Sequence, residues 1–206
     1  AQGACGAALT ELGCSNLINV NAVQTEVCTV TVPAAGTYWV RILNIGTAVN
    51  MGMTKLCINL TPVNDGCGGT SLTPAASCVV GTPVTGDLAG ANQTLAGAPC
   101  TAPANTTIQD VWYSFVANSA TQIITVTPSA SLDAVVQIYS GGCGTTSLYC
   151  TNANGVGGVE TTTAALTSGT TYWIRVYSAG TGALGIPATT TFTINIERPP
   201  SNDDCL

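Results

Sequence analysis

The alternation of apolar and polar residues predicts β-strands along most of the chain after residue 110. In "TTYWIRVYS" (170–178), Tyr172, Ile174 and Val176 fall on one side of a strand, and we expect that side to face the core. Clusters of Gly, Pro, Asn and Ser separate such stretches, as in antiparallel strands joined by turns. The predicted strands are 110–117, 122–128, 133–140, 158–166, 170–178 and 189–196, with 77–84 as a further candidate. This pattern predicts an all-β fold, an antiparallel β-sandwich of the jelly-roll type.

Several short phrases occur twice along the chain. They are "GACGAALTELGCSN" (3–16) with "GGCGTTSLYCTN" (141–152), "TYWVRI" (37–42) with "TYWIRV" (171–176), "CINL" (57–60) with "TINI" (193–196), and "NDGC" (64–67) with "NDDC" (202–205). Internal repetition on this scale indicates tandem modules. In this register, residues 1–61 are the second half of a β-sandwich module, so the first module is incomplete. Residues 62–198 form a complete module, and residues 199–206 are a linker and the start of a following module.

The charge balance excludes two classes of partner. The chain has four Lys or Arg residues against ten Asp or Glu, a net charge of −6. Nucleic acid and anionic membrane surfaces both require a basic footprint, so we expect neither as a partner. No apolar stretch of about 18 residues is present, so we expect no membrane insertion either.

Ten cysteines and no histidine indicate disulfides rather than a metal. Zinc sites usually recruit His or paired C-x-x-C units, and the sequence contains neither. Because exported proteins keep cysteines oxidised and cytosolic ones do not, we expect an extracellular or cell-surface location.

Four motifs along the chain resemble those of a known module. The motif Asn64-Asp65-x-Cys67, then "DVWYSF" (110–115), "SLDAVVQIYSGGCGTTSLYC" (131–150) and "TYWIRV" (171–176) resemble a repeat of secreted, multi-module surface proteins of Bacteroidetes. That repeat is similar to bacterial pre-peptidase C-terminal domains, which are β-sandwiches. The resemblance implies export by the type IX route and service as a spacer, stalk or binding module.

The resemblance also raises the question of calcium. Related modules often carry acidic residues directly after the second cysteine of the hairpin, whereas this chain has Asn152 and Asn154 there. A hard cation prefers several oxygen ligands that include carboxylates. We therefore expect no metal and no cofactor, with calcium unsupported by these residues.

The cysteine positions suggest a set of disulfides within and between modules. Cys143 and Cys150 bracket a hairpin-sized loop, and Cys5 and Cys14 bracket its counterpart, so each pair is expected to bond. Cys28 and Cys57 both fall on strands, and their counterparts are Thr162 and Thr193, so a cross-strand bond between them is expected. The four other cysteines allow three connectivities. Of these we expect Cys78–Cys100, which leaves Cys67 and Cys205 for bonds across a module or chain boundary.

Catalysis finds little support in the sequence. Without histidine there is no Ser-His-Asp triad and no Cys-His pair. Paired carboxylates remain, and the candidates are Asp110, Asp133 and Glu160, each at or near the start of a predicted strand. Aspartates in such places usually bond turn backbone, so we expect no catalytic residues and no enzyme.

A stripe of aromatic and cationic side chains is the candidate interaction face. It comprises Trp173, Arg175 and Tyr177 in the complete module, and Trp39 and Arg41 in the half-module. Exposed, such a stripe could hold a sugar ring or a protein partner. Alternatively, the arginine packs over an aromatic ring and stabilises the sheet.

These observations favour a structural repeat module of an extracellular surface protein or fibre. Its expected partners are copies of itself or adjacent modules of one long chain, joined by end-to-end packing or by strand exchange between subunits. The alternatives are an adhesin module that binds carbohydrate or protein through the aromatic stripe, and an accessory domain of a secreted enzyme.

Overall fold

The computed structural model describes residues 11–14, 28, 30–32, 34–42, 56, 58, 60–76, 81–96, 100, 109–179 and 190–199. The chain divides into two compact units, Ala1–Lys55 and Leu56–Leu206. Within the described residues there are nine strands, all in the second unit, and no helix. Accordingly, this part of the chain contains no helix that could span a membrane.

The nine strands form two sheets packed face to face. They are β1 (Thr70–Leu72), β2 (Val84–Asp87), β3 (Asp110–Val116), β4 (Thr121–Pro128), β5 (Ala134–Ser140), β6 (Thr146–Thr151), β7 (Glu160–Ala165), β8 (Thr171–Ser178) and β9 (Thr191–Glu197). The strand orders are β1-β3-β8-β5-β6 in one sheet and β2-β9-β4-β7 in the other. The structure therefore confirms the predicted all-β sandwich.

The core lies between the sheets and uses the alternate positions that the sequence pattern assigned to it. On β8, Tyr172, Ile174 and Val176 are at most 5% exposed, and on β9, Ile194 and Ile196 are at most 3% exposed. Burying one such aliphatic side chain contributes about 1.5–3 kcal/mol relative to leaving it in water. Alternation thus decides which side of β8 and of β9 faces the core.

One pair of strands departs from the antiparallel pattern. β1 runs parallel to β3, with Thr70 opposite Tyr113 and Leu72 opposite Phe115. Parallel neighbours need a long connection, and here the chain between them passes through β2 in the other sheet. β1 has only three residues, too few for alternation to predict it. The candidate strand 77–84 is replaced by β2, which begins at Val84; residues 77–80 lie outside the described residues.

The disulfides of the complete module differ from those predicted. The structure contains Cys67–Cys143 and Cys100–Cys150, with Cα–Cα distances of 5.7 and 5.9 Å. The predicted Cys143–Cys150 and Cys78–Cys100 bonds are therefore wrong. Cys67 bonds within its own module, so its predicted bond across a module or chain boundary is wrong as well.

Strand pairing between β5 and β6 explains why Cys143 and Cys150 do not meet. Thr146 lies opposite Ser140 at the end of the hairpin, next to Cys143, whereas Cys150 lies opposite Gln137 further along. At about 3.3 Å per residue, this places the two cysteines roughly 10 Å apart along the strands. A disulfide spans a Cα–Cα distance of at most about 7 Å.

In the first unit, Cys14 and Cys28 carry free, exposed thiols. This differs from the predicted bonds with Cys5 and Cys57, which lie outside the described residues. The complete module supplies a reason for Cys14. Its repeat counterpart, Cys150, bonds a cysteine 50 residues away in the sequence rather than the cysteine of the hairpin turn.

The predicted start of a following module falls mostly beyond the described residues, which end at Pro199. Cys78 and Cys205 lie outside them too. The bond of Cys205 therefore stays a prediction.

Candidate interaction face

The predicted interaction face is the outer side of the five-stranded sheet, opposite the core. On β8 the alternation places Trp173, Arg175 and Tyr177 on this side, yet Arg175 and Tyr177 are 0% exposed and Trp173 is half-buried. In the complete module the exposed alternative is therefore contradicted for Arg175 and Tyr177, and the packing alternative holds. The reason is a stretch of chain, residues 92–96 with Cys100, that lies against this side; we call it the covering segment.

Arg175 is held by four hydrogen bonds or ion-pair contacts. Its Nε donates to Asp110 Oδ2 at 2.7 Å, and its Nη2 lies 2.5 Å from the same oxygen. Nη1 donates to the carbonyl of Ala96 at 2.9 Å, and Nη2 also donates to the carbonyl of Leu95. The guanidinium thus joins β8 to β3 and to the covering segment.

Asp110, at the start of β3, completes the arrangement. One carboxylate oxygen accepts from the Thr94 hydroxyl at 2.7 Å, and the amides of Thr94 and Leu95 donate to the carboxylate at 3.1–3.3 Å. The indole of Trp112 donates to the same Thr94 hydroxyl at 2.7 Å. Side chains of one strand therefore fix the covering segment in place.

Aromatic rings enclose the ion pair. The Arg175 guanidinium carbon lies 4.5 Å from the Tyr177 ring centroid and 5.9 Å from that of Trp112. Trp112 also packs against Tyr139, with centroids 5.5 Å apart. Burial raises the pKa of Tyr139, and the positive charge of Arg175 acts in the opposite direction. Arginine over aromatic rings was the packing alternative, although the rings are Trp112 and Tyr177 rather than Trp173.

The opening motif of the module also holds the covering segment, a role that sequence reasoning missed. One carboxylate oxygen of Asp65 accepts a hydrogen bond from the Asn92 side chain at 2.9 Å, and the other accepts from the backbone amide of Asn92. The carbonyl of Asn64 accepts from the Trp112 amide at 2.7 Å. Cys67, the last residue of the motif, bonds Cys143 in the β5–β6 turn. The repetition of Asn-Asp-x-Cys in the sequence was the signal that could have indicated this role. The motif joins the start of the module to its outer face, and we call it the clasp.

The three candidate carboxylates do not form a catalytic pair across an open site. Asp110 belongs to the buried ion pair described above. Glu160 is fully buried, and its two oxygens accept the amides of Ala153 and Asn154 at 2.9 and 2.7 Å. Burial raises the pKa of Asp133, and the charge of Glu160 raises it further.

The loop considered for calcium is held by its own hydrogen bonds. The Asn154 side-chain amide donates to the Val159 carbonyl at 2.6 Å, and the Asn152 side-chain amide donates to the Cys100 carbonyl at 3.5 Å. Within the described ranges, no group of three or more His, Cys, Asp or Glu side chains is arranged to hold a metal ion.

A cleft of about 400 Å³ opens at the edge of the sandwich where β1 and β2 lie. Its lining combines Asn64, Thr70, Thr85 and Asp87 with apolar side chains and the buried Tyr113. The Tyr113 hydroxyl has no hydrogen-bond partner in the described structure. Burial raises the pKa of Tyr113 to about 12; the nearby Asn64 side chain acts in the opposite direction without reaching hydrogen-bond geometry.

Tyr113→Phe is expected to remove a phenol of raised pKa without loss of stability at neutral pH. Between pH 10 and about 12 the unfolded chain ionises at this position and the folded one does not, so Tyr113 lowers stability as pH rises through that range. Removing a buried, unpaired hydroxyl is otherwise neutral or stabilising. Titration of tyrosinate absorbance should lose one component near pH 12 in the variant. An unchanged titration curve would contradict this environment for Tyr113.

Gly86→Ala is expected to destabilise the module by about 1–3 kcal/mol through overpacking. A Cβ at this position would lie 2.2 Å from the Tyr113 hydroxyl and 2.3 Å from the Phe192 ring. Gly155→Ala is the matched control, because a Cβ there would meet no atom within 4 Å. Urea unfolding of both variants checks the prediction, and equal midpoints for the two would refute it.

In the first unit, Trp39 and Arg41 lie at the surface, with Trp39 41% exposed. They are the repeat counterparts of Trp173 and Arg175. The structure therefore brings the aromatic stripe of the complete module into its interior, and leaves the stripe of the first unit exposed.

Together, fold and site define a disulfide-bonded β-sandwich module whose outer sheet face is closed by its own chain. Residues 63–194 match the model of a family described as galactose binding domain-like and associated with T9SS, the type IX route. The match covers more than half of the chain, and the chain belongs to this family.

Two solved structures are similar to it. One is the pre-peptidase C-terminal domain of a collagenase from Bacillus anthracis, with a TM-score of 0.39 and 14% identity over 62% of this chain and 93% of that one. The other is Aeromonas hydrophila PliG, a periplasmic inhibitor of g-type lysozyme, with a TM-score of 0.35 and 15% identity over 62% and 98% of the two chains. No curated protein matches the sequence significantly.

Proposed function

We propose that this chain is a structural repeat module of an extracellular surface protein or fibre, and that it acts by packing end to end with like modules. One observation carries the proposal. Arg175 and Tyr177, which a binding module would display, are buried against the covering segment, and Arg175 donates hydrogen bonds to its carbonyls. A sheet face that is covered by the module's own chain suits a load-bearing or spacing element.

Two observations support an extracellular location. The family is associated with the type IX secretion route. The module also carries two disulfides that close loops of 76 and 50 residues, and such bonds persist in oxidising compartments. Both support export to the cell surface or beyond.

Serial arrangement is supported by the clasp. Because Cys67 bonds a cysteine of its own module, the repeated motif at 202–205 is best explained as the clasp of a following module. Cys205 is then expected to bond that module's counterpart of Cys143, rather than to link two modules.

The same contacts support a non-catalytic role. Asp110 and Glu160 each accept several hydrogen bonds from their surroundings, which leaves few lone pairs for proton transfer to a substrate. A structural module needs no catalytic group, and the proposal assigns none.

The test is the intact mass of the native protein under reducing and non-reducing conditions. We expect a covalent chain or a polymer that exceeds the 20.7 kDa of this sequence by further modules. A native protein that remains a 20.7 kDa monomer at high concentration would contradict the proposal.

A second candidate function, saccharide binding, is favoured by the cleft between β1 and β2. Its size lies in the usual range of ligand sites, and its hydroxyl and amide groups suit a polyhydroxylated ligand. Thr85→Lys should abolish saturable binding of galactose-terminated glycans, whereas Thr161→Lys, on the exposed side of β7, should not. Absence of saturable binding to the unmodified chain would remove this candidate and leave the structural role untouched.

A further inference from the structure

The loop between β6 and β7 contains the one Asn-Gly pair of the sequence, Asn154-Gly155. Both residues are exposed. In such a pair the backbone nitrogen of the glycine can attack the side-chain amide carbon of the asparagine, and glycine has no side chain to hinder the approach. The pair is therefore the position of the chain where an asparagine is most easily converted to an acid.

The structure leaves room for this reaction. Within the described part of the chain the Gly155 amide has no hydrogen-bond partner, and a Cβ on Gly155 would meet no atom within 4 Å. The Asn154 side chain is held through its Nδ2, which donates to the Val159 carbonyl at 2.6 Å. Nδ2 is the atom that leaves in the reaction, so this bond does not cover the carbon that is attacked.

Asn154 also lies beside a buried negative charge. Its backbone amide donates to Glu160 Oε1 at 2.7 Å, and the amide of Ala153 donates to Oε2 at 2.9 Å. Glu160 is 0% exposed, and after burial its charge is the second cause of the raised pKa of Asp133. A carboxylate created at position 154 would therefore enter a region that is already negative.

We propose that Asn154 is a site of spontaneous deamidation, and that its conversion to an acid weakens the β6–β7 loop. In the first step a bond forms between the Gly155 nitrogen and Asn154 Cγ, the Cγ–Nδ2 bond breaks, and ammonia leaves with the amide proton of Gly155. Water then opens the five-membered succinimide at either carbonyl and gives aspartate or isoaspartate. Water is the only co-reactant, and no group is oxidised or reduced.

Both products disturb the contacts of the loop. A carboxylate cannot donate to the Val159 carbonyl, so that bond is lost and an oxygen faces an oxygen. In isoaspartate the Cβ of residue 154 becomes part of the main chain. Gly158 packs against this atom so closely that a Cβ on Gly158 would lie 2.4 Å from it. The modified loop therefore cannot keep its present backbone path.

The first test is incubation of the full chain in warm, mildly alkaline buffer made with heavy-oxygen water, followed by peptide mass mapping and isoaspartyl methyltransferase labelling. We expect residue 154 to gain one heavy oxygen and to give both products. Asn152, in the same loop but followed by alanine, should react at least tenfold more slowly. Gly155→Ala should slow the reaction of Asn154 about tenfold or more, because the added Cβ hinders the attacking geometry.

The second test separates the new charge from the lost hydrogen bond. Asn154→Ala removes the bond to Val159 alone, whereas Asn154→Asp removes it and adds a carboxylate near Glu160. We expect the urea midpoint of Asn154→Asp to lie below that of Asn154→Ala, and that of Asn154→Ala to lie below that of the unmodified chain.

Three outcomes would overturn the inference. An Asn154 that stays intact throughout the incubation would mean that the loop protects it. Equal rates at Asn154 and Asn152, or a rate that Gly155→Ala leaves unchanged, would mean that the Asn-Gly pair is not a distinct site. A midpoint for Asn154→Asp equal to that of the unmodified chain would mean that conversion to an acid does not weaken the loop.

Discussion

Replacing Arg175 with methionine is expected to lower the free energy of unfolding by about 3–5 kcal/mol. The substitution leaves the Asp110 carboxylate buried beside Trp112 and Tyr177 without its countercharge, since both members of the pair are 0% exposed. It also removes the bonds to the carbonyls of the covering segment. Equilibrium unfolding in urea, followed by tryptophan fluorescence, measures the change.

Two further variants distinguish the effect of breaking the ion pair from the general effect of replacing an arginine. Arg41→Met changes the exposed repeat counterpart and should alter stability by no more than about 0.5 kcal/mol. The double variant Asp110→Asn with Arg175→Met should cost less than the sum of the two single changes, because the uncompensated charge is gone. A loss below about 1 kcal/mol in Arg175→Met would show that the pair does not hold the covering segment.

Removal of the Cys100–Cys150 bond by a double change to serine is expected to cost roughly 4 kcal/mol. The bond closes a loop of 50 residues and attaches the covering segment to β6 through Cys100, so its loss frees the unfolded chain and loosens the segment from the sheet. Reduction of the unmodified protein should weaken it further, because it also opens Cys67–Cys143, which closes a loop of 76 residues.

Cys14→Ser is the control for this change, since Cys14 is a free thiol and should leave stability within about 0.5 kcal/mol. The paired serine variant should also expose Trp112, which acrylamide quenching of fluorescence would detect. Unchanged unfolding midpoints in the double serine variant would mean that the covering segment is held without its disulfide.

The sandwich could be predicted because its information is local. On β9 each buried position alternates with a less buried one, and on β8 the core residues Tyr172, Ile174 and Val176 occupy alternate positions. The period of two decides which side faces the core without knowledge of the partner strand. The same alternation placed Trp173, Arg175 and Tyr177 together on the side away from the core. Alternation does not indicate whether that side is exposed to solvent or covered by another part of the chain.

The covering segment could not be predicted because its contacts are long-range. Arg175 and Asp110 are 65 residues apart, and nothing periodic in residues 92–96 indicates that this stretch lies against a sheet. The same holds for the disulfides. The register of β5 and β6 keeps Cys143 and Cys150 apart, and the spacing of the two cysteines in the sequence does not reveal it.

The internal repeat supplied information that a single module would not. The motif at 64–67 recurs at 202–205, and the structure shows what its first copy does: Asp65 bonds Asn92, and Cys67 bonds Cys143. We expect the motif in "SNDDCL" to act in the same way, and the bond of Cys205 stays a prediction.

Peptide mass mapping of the native, non-reduced protein tests most directly the claim that the module closes its own outer face. We expect one cross-linked pair that joins Cys100 to Cys150 and one that joins Cys67 to Cys143. A bond between Cys143 and Cys150 would contradict this arrangement, because it would leave the covering segment untethered and the opening motif unclasped.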